Sequence, residues 1–413
     1  MVVGLGLLIV GAFLVSRGWG IGIEPAHEGL GGHAAGAHEA GGEHHETAGW
    51  LKRVIANLWL NTVLFTGISV IGMFFVCIQY LSWAGWSSII KRVPEAFPAF
   101  LPFAGIAVLA LFFLFKHDLF HWTHEGLYDP NSPEYDPIIA GKQGFLSQPF
   151  YVFRTVFYFA AWYGLWRLLR RASIREDELG GIQHWYRMKN ISRVFILVFA
   201  VTSSVCAWDW VMSIDTHWFS TMFGWYMFAS WHVTGVAVIT LAILYLKDQG
   251  YLRDVNESHL HDLGKWIFAF SIFWTYLWFS QFLLIYYANL PEETIYFRER
   301  FTGYGGIYKA PFFINLFLCF VFPFLSLMTR DAKRSGVVMK VACWGVVIGH
   351  WFDFYQMIMP GAVGEDASFG LIEIGAILLF ASAFGFVVNS QLTKASLVAG
   401  NHPMLEEAHH HDI

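Results

Sequence analysis

Long apolar runs, rather than alternation of apolar and polar positions, set the pattern of this chain. Between Arg193 and Leu246 two runs of more than 20 residues are separated only by Thr216, His217 and Trp218. Each run is long enough to cross a hydrocarbon core of ~30 Å at ~1.5 Å per residue, and so short a gap predicts a transmembrane hairpin with a tight reversal. The same pattern predicts spans over 55–82, 97–115, 148–169, 193–214, 219–246, 265–289, 311–328, 337–359 and 367–390. With an apolar run at 2–16 this makes ten. Backbone groups in lipid must be satisfied within a helix or a closed barrel, and continuous apolar runs select helices.

The organisation expected is a first spanning helix over 1–17, a low-complexity loop over 18–54, a transmembrane domain over 55–390 and a cytoplasmic tail over 391–413. The run at 2–16 reads as a helix rather than a cleaved leader, because no Lys or Arg precedes it and no small-residue cleavage site follows. The loop carries His27, His33, His38, His44 and His45 among Gly, Ala and Glu. That composition reads as a polar linker before it reads as a metal site.

Composition agrees. The 413 residues are 56% hydrophobic and only 14% charged, where a soluble chain carries roughly 25% charge. A net charge of −5 and the lack of any basic, aromatic-interleaved patch exclude a nucleic-acid partner. Cys77, Cys206, Cys319 and Cys343 all lie in apolar runs without CxxC, haem-attachment or zinc spacing, so no redox centre of the chain's own and no metal site is expected. Counting Lys and Arg along alternate loops gives sixteen on one side and eight on the other. The positive-inside rule then puts both termini in the cytoplasm.

Ionisable residues within spans are costly and usually mark a function. Asp209, His232, His350, Asp353 and Glu373 lie in the runs, with Arg154 as a counter-charge and Asp262 and Lys265 at an inner mouth. Such groups either pair to fix helix register or relay protons, since burial brings carboxylate and imidazole pKa values toward neutrality. The collection favours a proton pathway. In FLFKHDLFHWTHEG, His117, His121 and His124 stand at i, i+4 and i+7, one helical face at the outer surface. That face suits a structural or partner-contact role, with a metal ion or quinone binding as the alternatives. Pro291 is expected to stop the seventh span, leaving Glu292 and Glu293 in a solvated loop or, as the other reading, at a proton exit beside the membrane mouth.

Several longer segments carry more than composition: FHWTHEG, GKQGFLSQPFYVFR, WDWVMSIDTHWFSTMFGWY, GKWIFAFSIFWTYLWFSQFLLIYYANLPEET and GHWFDFYQMIMP. Together they resemble the second NrfD-like membrane subunit of alternative complex III, a quinol:cytochrome c oxidoreductase, over about residues 55–390. The basic stretch with which such subunits begin is absent ahead of the first run. The resemblance implies an all-α polytopic protein of about ten transmembrane helices, in two NrfD-like four-helix bundles plus peripheral helices. It implies a bacterial inner membrane, a paired NrfD-like membrane subunit, an iron–sulfur subunit and c-type haem subunits as partners, with a terminal oxidase as a further candidate. Quinol is then the substrate of the complex. Iron–sulfur clusters and haem c belong to the partners, and this chain is a non-catalytic subunit that moves protons and scaffolds the assembly. The alternatives are a quinol-binding catalytic subunit and a stand-alone transporter. The last is disfavoured because Gly and Pro do not break matched spans at mid-depth.

Overall fold

The computed structural model describes residues 1–17 and 47–412. The five histidines of the low-complexity loop lie outside the described residues. The described chain is helical throughout, with no strand. The main helices are α1 (Val2–Ser16), α2 (Gly49–Leu81), α3 (Leu101–Leu119), α4 (Gln148–Leu179), α5 (Ile182–Trp210), α6 (Phe223–Asp248), α7 (Glu257–Ala288), α8 (Pro291–Phe301), α9 (Lys309–Ser326), α10 (Gly336–Ala362) and α11 (Leu371–Leu392). Among the described residues eight helices are long and apolar enough to cross a membrane: α2, α3, α5, α6, α7, α9, α10 and α11. The expected count of ten included α1, which has 15 residues, and α4, whose 32 residues carry a charged second half.

Helix α2 is the post around which the others stand. It packs against α3, α5, α6, α10 and α11, and nearly all of its side chains are buried. Its polar residues are tolerated because they spend their donors locally. Asn57, Asn61, Thr62, Thr66 and Ser69 each donate to the carbonyl four residues back, at 2.6–2.9 Å. A Cβ at Gly67 would sit 1.9 Å from the Trp231 ring, so this glycine lets α6 lie against α2. Helices α2 to α5 form one packed group; α6, α7, α9 and α10 form another, and α2 touches both. Helix α1 lies along α11, where a Cβ on Gly4 would meet the backbone of Leu379 and one on Gly375 the backbone of Leu8.

Two expectations need correction. The reversal between α5 and α6 is not a three-residue turn: Val211 leaves helical geometry and the connection runs from 211 to 222. Ser213 and Thr216 tie the departing chain to the carbonyls of Asp209 and Ser213, and Val211, Ile214 and Trp218 are buried as they would be in a span. Pro291 does not follow a helix into a loop. Asn289 ends α7 in the left-handed conformation (φ 50°), and Pro291 opens α8 with Glu292 and Glu293 in its first turn. The tail is tied to the helix ends. Asn401 donates to the Asp177 carbonyl, Ser88 to that of Met404 and Asn256 to that of His411, strapping the tail across the ends of α2, α4 and α7.

The helices thus end on two faces. The loop face gathers segments 120–147, 211–222, 289–308 and 363–370; the tail face gathers 82–91, 249–256, 327–335 and 393–412.

Candidate functional site

The ionisable residues within the helices fall into three different environments. Asp209 near the end of α5 is gripped by Arg154 of α4 through Nε at 2.9 Å and Nη2 at 2.6 Å, and Tyr158 donates to the same carboxylate at 2.7 Å. The guanidinium lies between the Phe145 and Phe150 rings, 4.0 and 4.1 Å from their centroids. Glu373, at the start of α11, is held in the same manner by Arg53 of α2, at 2.7 and 2.5 Å, with Asn57 and the Gly370 amide completing its partners. Both carboxylates are fully buried, bidentate and charge-matched. Breaking such a pair from one side leaves an uncompensated buried charge.

His232 occupies the second environment. It is fully buried on α6 among the rings of Phe270, Phe74, Trp266 and Phe228, with centroids 4.0–5.7 Å away. Neither ring nitrogen has a hydrogen-bond partner among the described residues. Hydrogen bonds do not join it to the other groups named from the sequence.

Asp353 occupies the third. Its carboxylate, fully buried on α10, accepts from four neutral donors: Tyr226 Oη, Ser230 Oγ at 2.5 Å, Trp274 Nε1 at 2.9 Å and Asn315 Nδ2 at 3.0 Å. These come from α6, α7 and α9, so three helices converge on one carboxylate. Among the described residues no Lys or Arg pairs with it; His350, one turn back on α10, has Nδ1 at 3.5 Å. The local backbone of α9 serves this geometry. A π-helical segment, Phe317–Val321, interrupts it just after Asn315, a feature found often at functional sites. Cys319 within it donates to Asn315 Oδ1 at 3.0 Å.

Tyr226 and Asn315 also line a cavity of about 20 Å³ with Gln281, Gln356, Tyr296 and Arg300. The Oε1 atoms of Gln281 and Gln356 have no hydrogen-bond partner among the described residues. A buried water needs roughly 10–15 Å³ and two to four polar partners, and this cavity offers both. A second cavity, of about 170 Å³, opens on the loop face and is lined by His121, Asp215, His217, Tyr296 and Glu299. In it, burial and the neighbouring Asp215 carboxylate raise the Glu299 carboxyl to about 7. Burial also raises Asp215, against the opposing charge of Arg300.

The remaining residues named from the sequence lie elsewhere. Asp262 and Lys265 pair with each other on the tail face, and His411 of the tail reaches Asp262 at 2.7 Å. His117, His121 and His124 do not share a continuous helical face, because α3 ends at Leu119, Phe120 is extended and a separate turn follows. Their rings still gather: His124 lies 4.8 Å from His117 and 5.6 Å from His121, centroid to centroid. His117 contacts the Thr123 hydroxyl, and no group that could hold a metal ion occurs among the described residues.

Sequence reasoning missed Arg53, Arg300, Asp215 and Glu299. Arg53 and Arg300 were counted as loop charges; both are buried. The signal available for Arg53 was its place at the head of a strongly apolar run. Arg300 had none, since α8 is short and polar. No protein-family model matches the chain, and no curated protein matches it.

Proposed function

We propose that the chain is an integral-membrane subunit of a quinol-oxidising respiratory complex of the alternative complex III type, and that its own part in the work is to pass protons by way of Asp353. The resemblance in the long motifs supplies the complex, the paired NrfD-like subunit, the iron–sulfur and c-type haem partners and the bacterial inner membrane, with α1 and α4 completing ten spans. The Lys and Arg bias turns the loop face outward and both termini inward. The observation that carries the proton reading is the contact of Asp353 with a water-sized polar cavity through two of its own donors, Tyr226 and Asn315.

A carboxylate held only by neutral donors loses no salt bridge when it takes up a proton. Asp209 and Glu373 would each leave an arginine unpaired, which assigns them to holding the helices in register. His350 is the nearest further imidazole, its Nδ1 3.5 Å from the carboxylate without a hydrogen bond to it. The quinol-binding alternative has less to support it: His117 is occupied by Thr123, and His124 contacts the His117 carbonyl.

The test is the number of protons moved per electron by the assembled complex in sealed vesicles. Asp353→Asn keeps the shape of the cage and removes the titrating group. The reading expects quinol oxidation to continue with fewer protons moved. An unchanged ratio in an intact complex would reject it.

A further inference from the structure

Two cavities lie on the loop-face side of Asp353, and their linings meet at one residue. Tyr296 lines both. Its ring lies flat on Trp218, 4.0 Å between centroids and 15° between planes, and the Arg300 guanidinium covers its other side at 3.4 Å. Arg300 is buried and firmly anchored. Its Nε donates to the Gln356 carbonyl at 2.8 Å and its Nη1 to the Tyr296 carbonyl at 2.7 Å. Its Nη2 reaches Asp215 at a looser 3.4 Å. The guanidinium therefore borders the small cavity, while the carboxylate it faces lines the large one.

We propose that Arg300 is a charge gate between the loop-face cavity and Asp353, with Asp215 and Glu299 as the proton-holding groups on its open side. A fixed arginine at a constriction repels hydronium and metal cations, as electrostatic barriers do in selective pores. Asp215 offsets that charge when ionised, so passage depends on the pair rather than on the arginine alone. A proton that passes leaves an Asp215 or Glu299 carboxyl, crosses on water in the small cavity and forms an O–H bond on the Asp353 carboxylate. Only O–H bonds are broken and made, and no electron moves. Arg300 touches no substrate, so its role is positional and electrostatic. Without a gate, a polar cavity leading to Asp353 would let protons run back under a membrane potential.

This proposal rests on the proton role of Asp353, and the experiment separates the two. The full chain is reconstituted in phospholipid vesicles, a potential is imposed with potassium and valinomycin, and proton entry is followed with an internal pH dye. Arg300→Gln should raise proton conductance about tenfold or more, the low end of what a focused field of one sign exerts. Arg300→Lys should stay near the unsubstituted chain, and Arg300→Gln with Asp353→Asn should lose the added conductance. Equal conductance in Arg300→Gln and the unsubstituted chain overturns the gate, with the Asp353 reading left to its own test. So does a leak that Asp353→Asn does not suppress or that also releases a trapped neutral dye, since either is damage to the fold. If Glu299→Gln, made in the Arg300→Gln background, leaves the leak unchanged, the assignment of Glu299 to the open side falls.

Discussion

The Cys319 thiol donates to Asn315 Oδ1, and this contact decides which end of the Asn315 amide faces Asp353. With the oxygen engaged by sulfur, the amide must present Nδ2 to the carboxylate. Cys319 stands four residues beyond Asn315, on the same helix face, within the π-helical segment. Cys319→Ser keeps a donor and is expected to retain proton transfer. Cys319→Val removes it and releases the amide to turn, at a cost of about 0.5–1.5 kcal/mol for one hydrogen bond. Thermal unfolding and the proton-per-electron ratio of the two variants check this; equal ratios would separate Cys319 from the cage.

Arg154 and Asp209 make a different case. Either single substitution, Asp209→Asn or Arg154→Met, leaves a partner buried and unmatched and is expected to cost about 3–5 kcal/mol. The double substitution Arg154→Met with Asp209→Leu replaces the pair by apolar groups and should recover most of that loss. Denaturation midpoints of the three variants give the answer. A double variant as unstable as the singles would show that the pair does more than fix α4 against α5.

Glu299 gives a pH dependence. Its folded-state value of about 7 lies above the ordinary carboxylate range because of burial and the adjacent Asp215. A raised carboxyl binds its proton more tightly in the folded chain than in the unfolded one. Its stabilising contribution is therefore complete below about 4.5 and lost as pH rises through about 7. The melting temperature of the unsubstituted chain should fall between pH 5 and pH 8 by more than that of Glu299→Gln. Parallel pH curves for the two proteins would refute the assignment.

Gly349 tests the packing behind the site. A Cβ there would lie 2.7 Å from the Leu318 Cβ and 2.9 Å from the Cys319 sulfur. Gly349→Ala is expected to push the π-helical segment away from α10, costing about 1–3 kcal/mol as overpacking does. It should also weaken the Asn315 contact, so proton transfer falls along with the melting temperature. Loss of stability with an unchanged proton ratio would mean that the segment moves without Asn315.

The helical class was readable because membrane spans announce themselves by length: residues 55–82 predicted almost the whole of α2. Their ends were less readable. Helices α4, α5 and α7 continue past the apolar stretch into charged sequence, and the apolar residues Val211, Ile214, Trp218 and Phe219 make the connection 211–222 read as a continuation of the spans it joins. At the site, Asp209, Arg154, Asp353 and Glu373 stood out as charges in apolar surroundings. What hydropathy could not reveal was which had partners. Arg53 and Glu373 are separated by 320 residues, and Asp353 draws its donors from three other helices. Tyr226, Ser230, Trp274 and Asn315 are ordinary residues in apolar helices until the fold turns them toward one carboxylate.

The clasp between Arg53 and Glu373 also has a meaning for how the protein is made. During synthesis α2 enters the bilayer long before α11 has been translated, so for 320 residues of elongation its arginine has no acidic mate. Arg53 lies close to the helix end, where its long stem lets the head group stay in the interfacial water until then. Chains cut short before α11 lack Glu373 and would keep that arginine at the interface, unable to close the clasp that fixes α2 in its final depth.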